Sequence, residues 1–218
     1  MSLRISATLL ESFRLYQSED WYKEQDLIDG IKGQLRQTPK MRLGQAYHYL
    51  LEHPQLTLDG VYERNGLRFA PYAIDSVLER LSPGGVFETK VAKTIGPTRE
   101  GDELVLVAKA DYIQGLHLSE FKAPLDGQFD AEKYERSYQW RVMVLLYGVS
   151  KVTYHIACLK QQDDGLHGLR SLDSMDLYPY SALEGDVSDL IGEFLHYVRL
   201  RKLDGYLRRE DHKKAVPA

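Results

Sequence analysis

Three strand-like runs, residues 86–95, 103–112 and 115–122, follow one another with no helical pattern between them. A tight connection at Gln114-Gly115 folds the last two into a hairpin. The run Leu104-Val105-Leu106-Val107-Ala108 is continuously apolar rather than alternating, which predicts a strand buried on both faces. A sheet covered on both sides needs helices on both sides.

The flanking sequence supplies them. Residues 6–16 and 22–36 carry apolar side chains at spacings of three and four. Thr38-Pro39 reads as an N-cap followed by proline at the first helical position, opening a helix over 39–53 that stops before Pro54. Asn65-Gly66 between two short apolar runs is a two-residue hairpin turn. Residues 72–81 form a short helix ended by Ser82-Pro83-Gly84-Gly85. Downstream, 130–147 is helical, Lys151 to Leu159 a strand, 170–178 a weaker strand and 182–203 a helix, and the last ten residues are read as disordered. The order predicts an α/β fold with a central mixed sheet (βββαβ) flanked by helices and an N-terminal helical segment.

At 218 residues the chain can fill one core, so a single domain over 1–218 is expected. Within it, 1–60 is the helical N-terminal part, 61–160 the core sheet and helix, 161–205 the closing strand and helix, and 206–218 a tail. No stretch has the length and apolarity of a membrane span, and the opening residues, with Glu11 among short apolar pieces, do not read as a signal peptide. The single cysteine, Cys158, excludes an internal disulfide framework and a cysteine-ligated iron–sulfur cluster; it sits in an apolar strand and reads as an inert core thiol. A cytoplasmic chain is expected. Net charge is −4, yet residues 199–214 hold seven basic and three acidic groups, +4 locally and −8 elsewhere. That segment either touches nucleic acid or is a solvated helix face.

Side chains alternate along a strand, so Glu120 and Lys122 share a face. Asp111 ends the preceding strand, and the hairpin brings it toward them. A carboxylate and an ammonium at the end of an apolar strand are costly to bury without partners or a task. Two carboxylates and a lysine suit phosphodiester hydrolysis: the carboxylates offer hard oxygens to Mg²⁺, and the lysine orients an attacking water or stabilises developing charge. A salt-bridged hairpin end is the alternative.

The pattern Asp111-(x8)-Glu120-Phe121-Lys122, between apolar strands and followed by an amphipathic helix, resembles the PD-(D/E)XK nuclease superfamily. Gly44-Gln45-Ala46-Tyr47-His48 resembles the Gly-x-x-x-His or Gly-x-x-x-Glu helix of its RecB-like and lambda-exonuclease-like branch. Tyr138-Gln139 resembles that branch's Gln motif, and Ile5 to Phe13 its Ser-rich opening helix. The resemblance covers residues 5–160 in order. It departs at Ala108, where Gly is common, at Ala123, where Thr or Ser is common, and at Met143, where the Gln motif has Tyr and this chain has one only at Tyr147.

The resemblance implies a restriction-endonuclease-like core and a Mg²⁺- or Mn²⁺-dependent deoxyribonuclease using one or two ions, without an iron–sulfur cluster or nucleotide. His48, Asp111, Glu120 and the backbone carbonyl of Phe121 are the implied metal ligands. Asp111, Glu120, Lys122 and Gln139 are the implied catalytic set, with Lys122 positioning water and Gln139 setting the lysine or a phosphate. An exonuclease of recombination, repair or phage DNA metabolism is the preferred reading. Its partner is DNA, with no membrane, and a recombination or helicase protein would have to supply any motor, since no phosphate-loop ATPase motif is present. An endonuclease with the same chemistry and a catalytically silent DNA- or protein-binding module are the alternatives. Oligomeric state is open.

Several neighbours read two ways. Glu88 lies beside the metal site or faces solvent. Lys109, on the same strand face as Asp111, approaches phosphate or forms an ion pair. Glu52 holds the His48 imidazole or is a solvated charge, and His53 reads as surface. Tyr134, Tyr138 and Trp140 stack on bases or belong to the core.

Overall fold

The computed structural model describes residues 2–98 and 101–208. Its elements run β1 (Ser2–Ser6), α1 (Ala7–Ser18), α2 (Glu24–Lys32), α3 (Pro39–Glu52), β2 (Tyr62–Arg64), β3 (Leu67–Phe69), α4 (Pro71–Leu78), β4 (Val86–Pro97), β5 (Glu103–Gln114) and β6 (His117–Lys122). There follow α5 (Ala131–Glu135), α6 (Tyr138–Tyr147), β7 (Lys151–Gln161), β8 (His167–Leu177), α7 (Leu183–Leu200) and α8 (Asp204–Leu207). The strands form one mixed sheet in the order β1-β5-β6-β7-β8-β3-β2, with β4 along the other edge of β5.

Helices cover both faces, as expected for a sheet of this kind. On one face α1, α6 and α7 bury Leu10, Phe13, Val142, Phe194 and Val198 against Leu106, Leu118, Val152 and Ile156. On the other, α3 and α4 bury Tyr47, Leu50, Leu51 and Ile74 against Phe121, Ala157 and Leu159. Cys158 is a buried free thiol. No helix among the described residues is long and apolar enough to cross a membrane.

Local chemistry explains the helix that matters most to the site. Thr38 caps α3, its hydroxyl accepting from the Met41 N–H at 3.2 Å, and Pro39 follows at the first helical position. The Asn65-Gly66 turn is as expected, with φ of 53° and 74°.

Four expectations need correction. The chain opens with a strand: Ser2–Ser6 pairs parallel with residues 103–107 of β5, and Ser6 is at once the last strand residue and the cap of α1, accepting from Leu9 N–H. The stretch 130–147 is two helices, broken where Ser137 turns extended and caps α6. The run from Leu104 to Ala108 is not buried on both faces: Leu104, Leu106 and Ala108 are buried while Val105 and Val107 are half-buried, because the second face is only partly covered there. The segment 182–203 ends at Leu200, with Asp204–Leu207 a separate short helix. The tail expected to be disordered lies largely outside the described residues, as do Arg209, Lys213 and Lys214 of the basic segment. Of the remainder, Arg201 pairs with Glu24 at 2.6 Å and Arg208 with Asp204 at 3.3 Å.

Strand β5 forks. Along one edge, residues 103–107 pair with β1 and residues 112–114 pair antiparallel with β6, so residues 108–111 of that edge pair with neither. Strand β6 meanwhile diverges to run parallel with β7. The fork leaves backbone donors free for side chains at its mouth.

Candidate active site

Asp111 and Glu120 lock the fork by exchanging hydrogen bonds. The Asp111 N–H donates to Glu120 Oε1 at 3.2 Å, and the Phe121 N–H donates to Asp111 Oδ2 at 2.8 Å. Two strands that have stopped pairing through their backbones are thus tied through their carboxylates, which satisfies polar groups that burial would otherwise penalise. Glu120 is only 1 % exposed.

Lys122 lies two residues on and on the same face. Its Nζ reaches Glu120 Oε2 at 3.4 Å and Gln139 Oε1 at 3.1 Å, and it lies 5.3 Å from the centre of the Tyr154 ring. The Gln139 amide also faces Glu120, at 3.5 Å. Helix α6 presents Gln139 from its first turn, and that turn is fixed by Ser137 and by Glu11, whose carboxylate accepts the Tyr138 N–H at 2.6 Å. From the other side α3 delivers His48, Nδ1 at 3.2 Å from Asp111 Oδ1.

Charges in this cluster are unequal. Burial pushes the Glu120 carboxyl up, the Asp111 charge pushes it further, and the opposing pull of Lys122 is too small, so the group is pushed up to about 8. Burial would raise Asp111 too, but the charge and hydrogen bond of His48, the Lys122 charge and the Phe121 N–H hold it below the usual carboxylate range. Burial would lower His48, and the charge and hydrogen bond of Asp111 outweigh it and hold the imidazole above its ordinary value.

The donor set fits a divalent cation. One donor atom each from His48, Glu88 and Asp111 lie within 4.8 Å of one another, and a mixed imidazole–carboxylate set suits Mg²⁺ or a first-row metal. Glu120 adds a carboxylate whose ionised form is disfavoured by burial and stabilised by a nearby positive charge.

Among the expected neighbours, Glu88 comes to the site and Lys109 pairs directly with it. Tyr138 is turned away: its ring lies 4.8 Å from the Arg141 guanidinium, and its hydroxyl is held up by burial, with Asp186, Asp189 and Glu193 of α7 adding to it. Glu52 faces His53, at 3.7 Å, rather than His48. Tyr134 and Trp140 are buried.

Two contributors were not anticipated. Tyr147, two turns after Gln139, places its hydroxyl between β4 and β5, accepting the Ala110 N–H at 3.0 Å and donating to the Thr89 carbonyl. It props the backbone next to Asp111. Its displacement from the motif position hid it, although a tyrosine on the same helix after Gln139 was the available signal. Glu11 acts from α1, 127 residues away in sequence, and no local pattern marks it.

The fold is a central mixed sheet flanked by helices on both faces. The chain is similar to the crystal structure of an alkaline exonuclease from Laribacter hongkongensis, with a TM-score of 0.52 and 14% identity over 94% of this chain and 91% of that one. It is similar also to the crystal structure of SSO0001, with a TM-score of 0.51 and 14% identity over 89% of this chain and 76% of that one. At such identity the likeness is one of fold. No family model matches the sequence, and no curated protein sequence matches it.

Proposed function

We propose that this chain is a metal-dependent deoxyribonuclease that hydrolyses phosphodiester bonds, working as an exonuclease on linear DNA in recombination, repair or phage DNA metabolism. The observation that carries this reading is the convergence of Asp111, Glu120 and Lys122 at the β5–β6 fork, with His48 on Asp111 and Gln139 on Lys122. The fold likeness to an alkaline exonuclease supports the choice among nuclease activities.

In this reading His48, Asp111, Glu120 and the Phe121 carbonyl hold Mg²⁺ or Mn²⁺. When bound, such an ion supplies positive charge to the scissile phosphate and lowers the pKa of water. The chain's own residues do the rest. Lys122, tethered at 3.1 Å to Gln139, holds an attacking water by its ammonium and stabilises charge growing on the phosphate. Gln139 keeps that ammonium from collapsing wholly onto Glu120. Gly44 lies four residues before His48 on α3, and a Cβ there would meet no atom within 4 Å, which leaves room for a sugar–phosphate backbone.

The test is cleavage of linear duplex, single-stranded and covalently closed circular DNA with Mg²⁺, Mn²⁺ or EDTA. Metal-dependent loss of linear DNA with the circle spared is expected. Cleavage of the circle would make the enzyme an endonuclease, and tight DNA or protein binding with no cleavage would make the chain a silent module.

A further inference from the structure

We propose that Glu88 is a ligand of the same cation site, and that Lys109 is a resident positive charge which the metal displaces from it. The proposal rests on the nuclease reading above.

Glu88 stands across from Asp111 where β4 runs beside β5. The ladder pairs Phe87 with Tyr112 and Thr89 with Ala110, yet the Glu88–Asp111 pair between them is missing while the register on either side is unchanged. Glu88 has a φ of 55°, which a glutamate rarely adopts. The other such non-glycine residues lie outside the strands, at Asn65, Asp126 and Lys202. A residue directly across an antiparallel ladder from Asp111 shares its face of the sheet, and the Glu88 carboxylate lies within 4.8 Å of donor atoms on both His48 and Asp111.

The Lys109 ammonium pairs with that carboxylate. Lys109 lies two residues before Asp111 on the same strand face, and its side chain is 52 % exposed against 28 % for Glu88. The lysine head can therefore leave into water at small cost, while Glu88 stays at the site. A divalent ion attracts a carboxylate more strongly than an ammonium does at the same distance. Lys109 borders a groove of about 250 Å³ that runs past Gln139, Ser6, Thr8 and Lys90, and release from Glu88 would leave its ammonium free for a group that enters there. Two lysines and two hydroxyl side chains suit a nucleic-acid phosphate. Metal entry thus frees the cation that receives substrate, so metal and DNA bind cooperatively.

Opposite signs make the idea testable. Calorimetric titration of the full chain with Mn²⁺, checked by electron paramagnetic resonance of free Mn²⁺, would compare wild type with Glu88→Gln, Lys109→Met and Asp111→Asn. Glu88→Gln should weaken Mn²⁺ binding by about ten-fold or more. Lys109→Met should tighten it, by up to about five-fold, because it removes the competitor. An ion pair that does not touch the metal would leave Mn²⁺ binding in Glu88→Gln close to wild type, so the loss in that variant carries the proposal and the tightening in Lys109→Met accompanies it. Should Glu88→Gln fail to fold, Glu88→Ala takes its place. Unchanged Mn²⁺ binding in Glu88→Gln, or no tightening in Lys109→Met, overturns the proposal while leaving the nuclease reading intact. Wild type and Asp111→Asn both failing to bind Mn²⁺ overturns both.

Discussion

Replacing Glu120 by glutamine should stabilise the metal-free protein, and increasingly so as pH rises. The carboxyl is raised from 4.5 to about 8. A group raised on folding contributes stability that is fully present below its unfolded value and is lost as pH climbs to the folded one. Each pKa unit is about 1.4 kcal/mol, so ionising Glu120 in place costs about 3 kcal/mol by pH 7 and up to about 5 kcal/mol above pH 8. Glutamine keeps the shape and a carbonyl for the Asp111 N–H, and carries no charge to bury. The Lys122 attraction is already included in the value of about 8, and relaxation of neighbours trims the gain to about 2 kcal/mol at pH 8.5, or about 4–8 °C in Tm for a chain of this length. Thermal unfolding of both proteins in EDTA at pH 5, 7 and 8.5 reads this directly. The difference should be near zero at pH 5, grow with pH, and reverse at pH 8.5 once Mg²⁺ compensates the wild-type carboxylate. A difference flat with pH, or a wild type more stable than Glu120→Gln at pH 8.5 in EDTA, would mean that Glu120 carries no buried charge of this cost.

Cation binding should release protons, since His48 is held up by Asp111 and Glu120 by burial. Mn²⁺ affinity should therefore rise from pH 6 to pH 8.5, and calorimetric heats should vary with the ionisation enthalpy of the buffer. Gln139→Ala should lower kcat by about 10- to 100-fold with little change in metal affinity, as expected of a partner that orients an active group; steady-state kinetics beside Mn²⁺ titration separates the two. Tyr147→Phe leaves the Ala110 N–H and Thr89 carbonyl without their hydroxyl and should cost about 1–3 kcal/mol in urea unfolding.

Much of this was written in the sequence because it rests on local rules. Strand alternation put Glu120 and Lys122 on one face, and Thr38-Pro39 fixed where the helix bearing His48 begins. Other parts depend on contacts that no local pattern carries. Strand β1 is five residues long and ends on the residue that caps α1, so the helical signal ran over it. The break at Ser137 follows from capping geometry and from Glu11, far away in sequence, and it aims Gln139 at Lys122. Glu88 could not be placed because glutamate gives no sign of a positive φ, and which way that strand residue faces decides whether it meets solvent or the site.

In the proposed mechanism Lys122 acts on the reaction while Asp111, Glu120 and His48 serve the metal. Single-turnover cleavage of linear duplex DNA in Mg²⁺ by wild type and Lys122→Ala, with Mn²⁺ affinity measured on both, tests it most directly. A rate at least about 100-fold slower is expected in Lys122→Ala, with Mn²⁺ binding retained. Equal rates would contradict it.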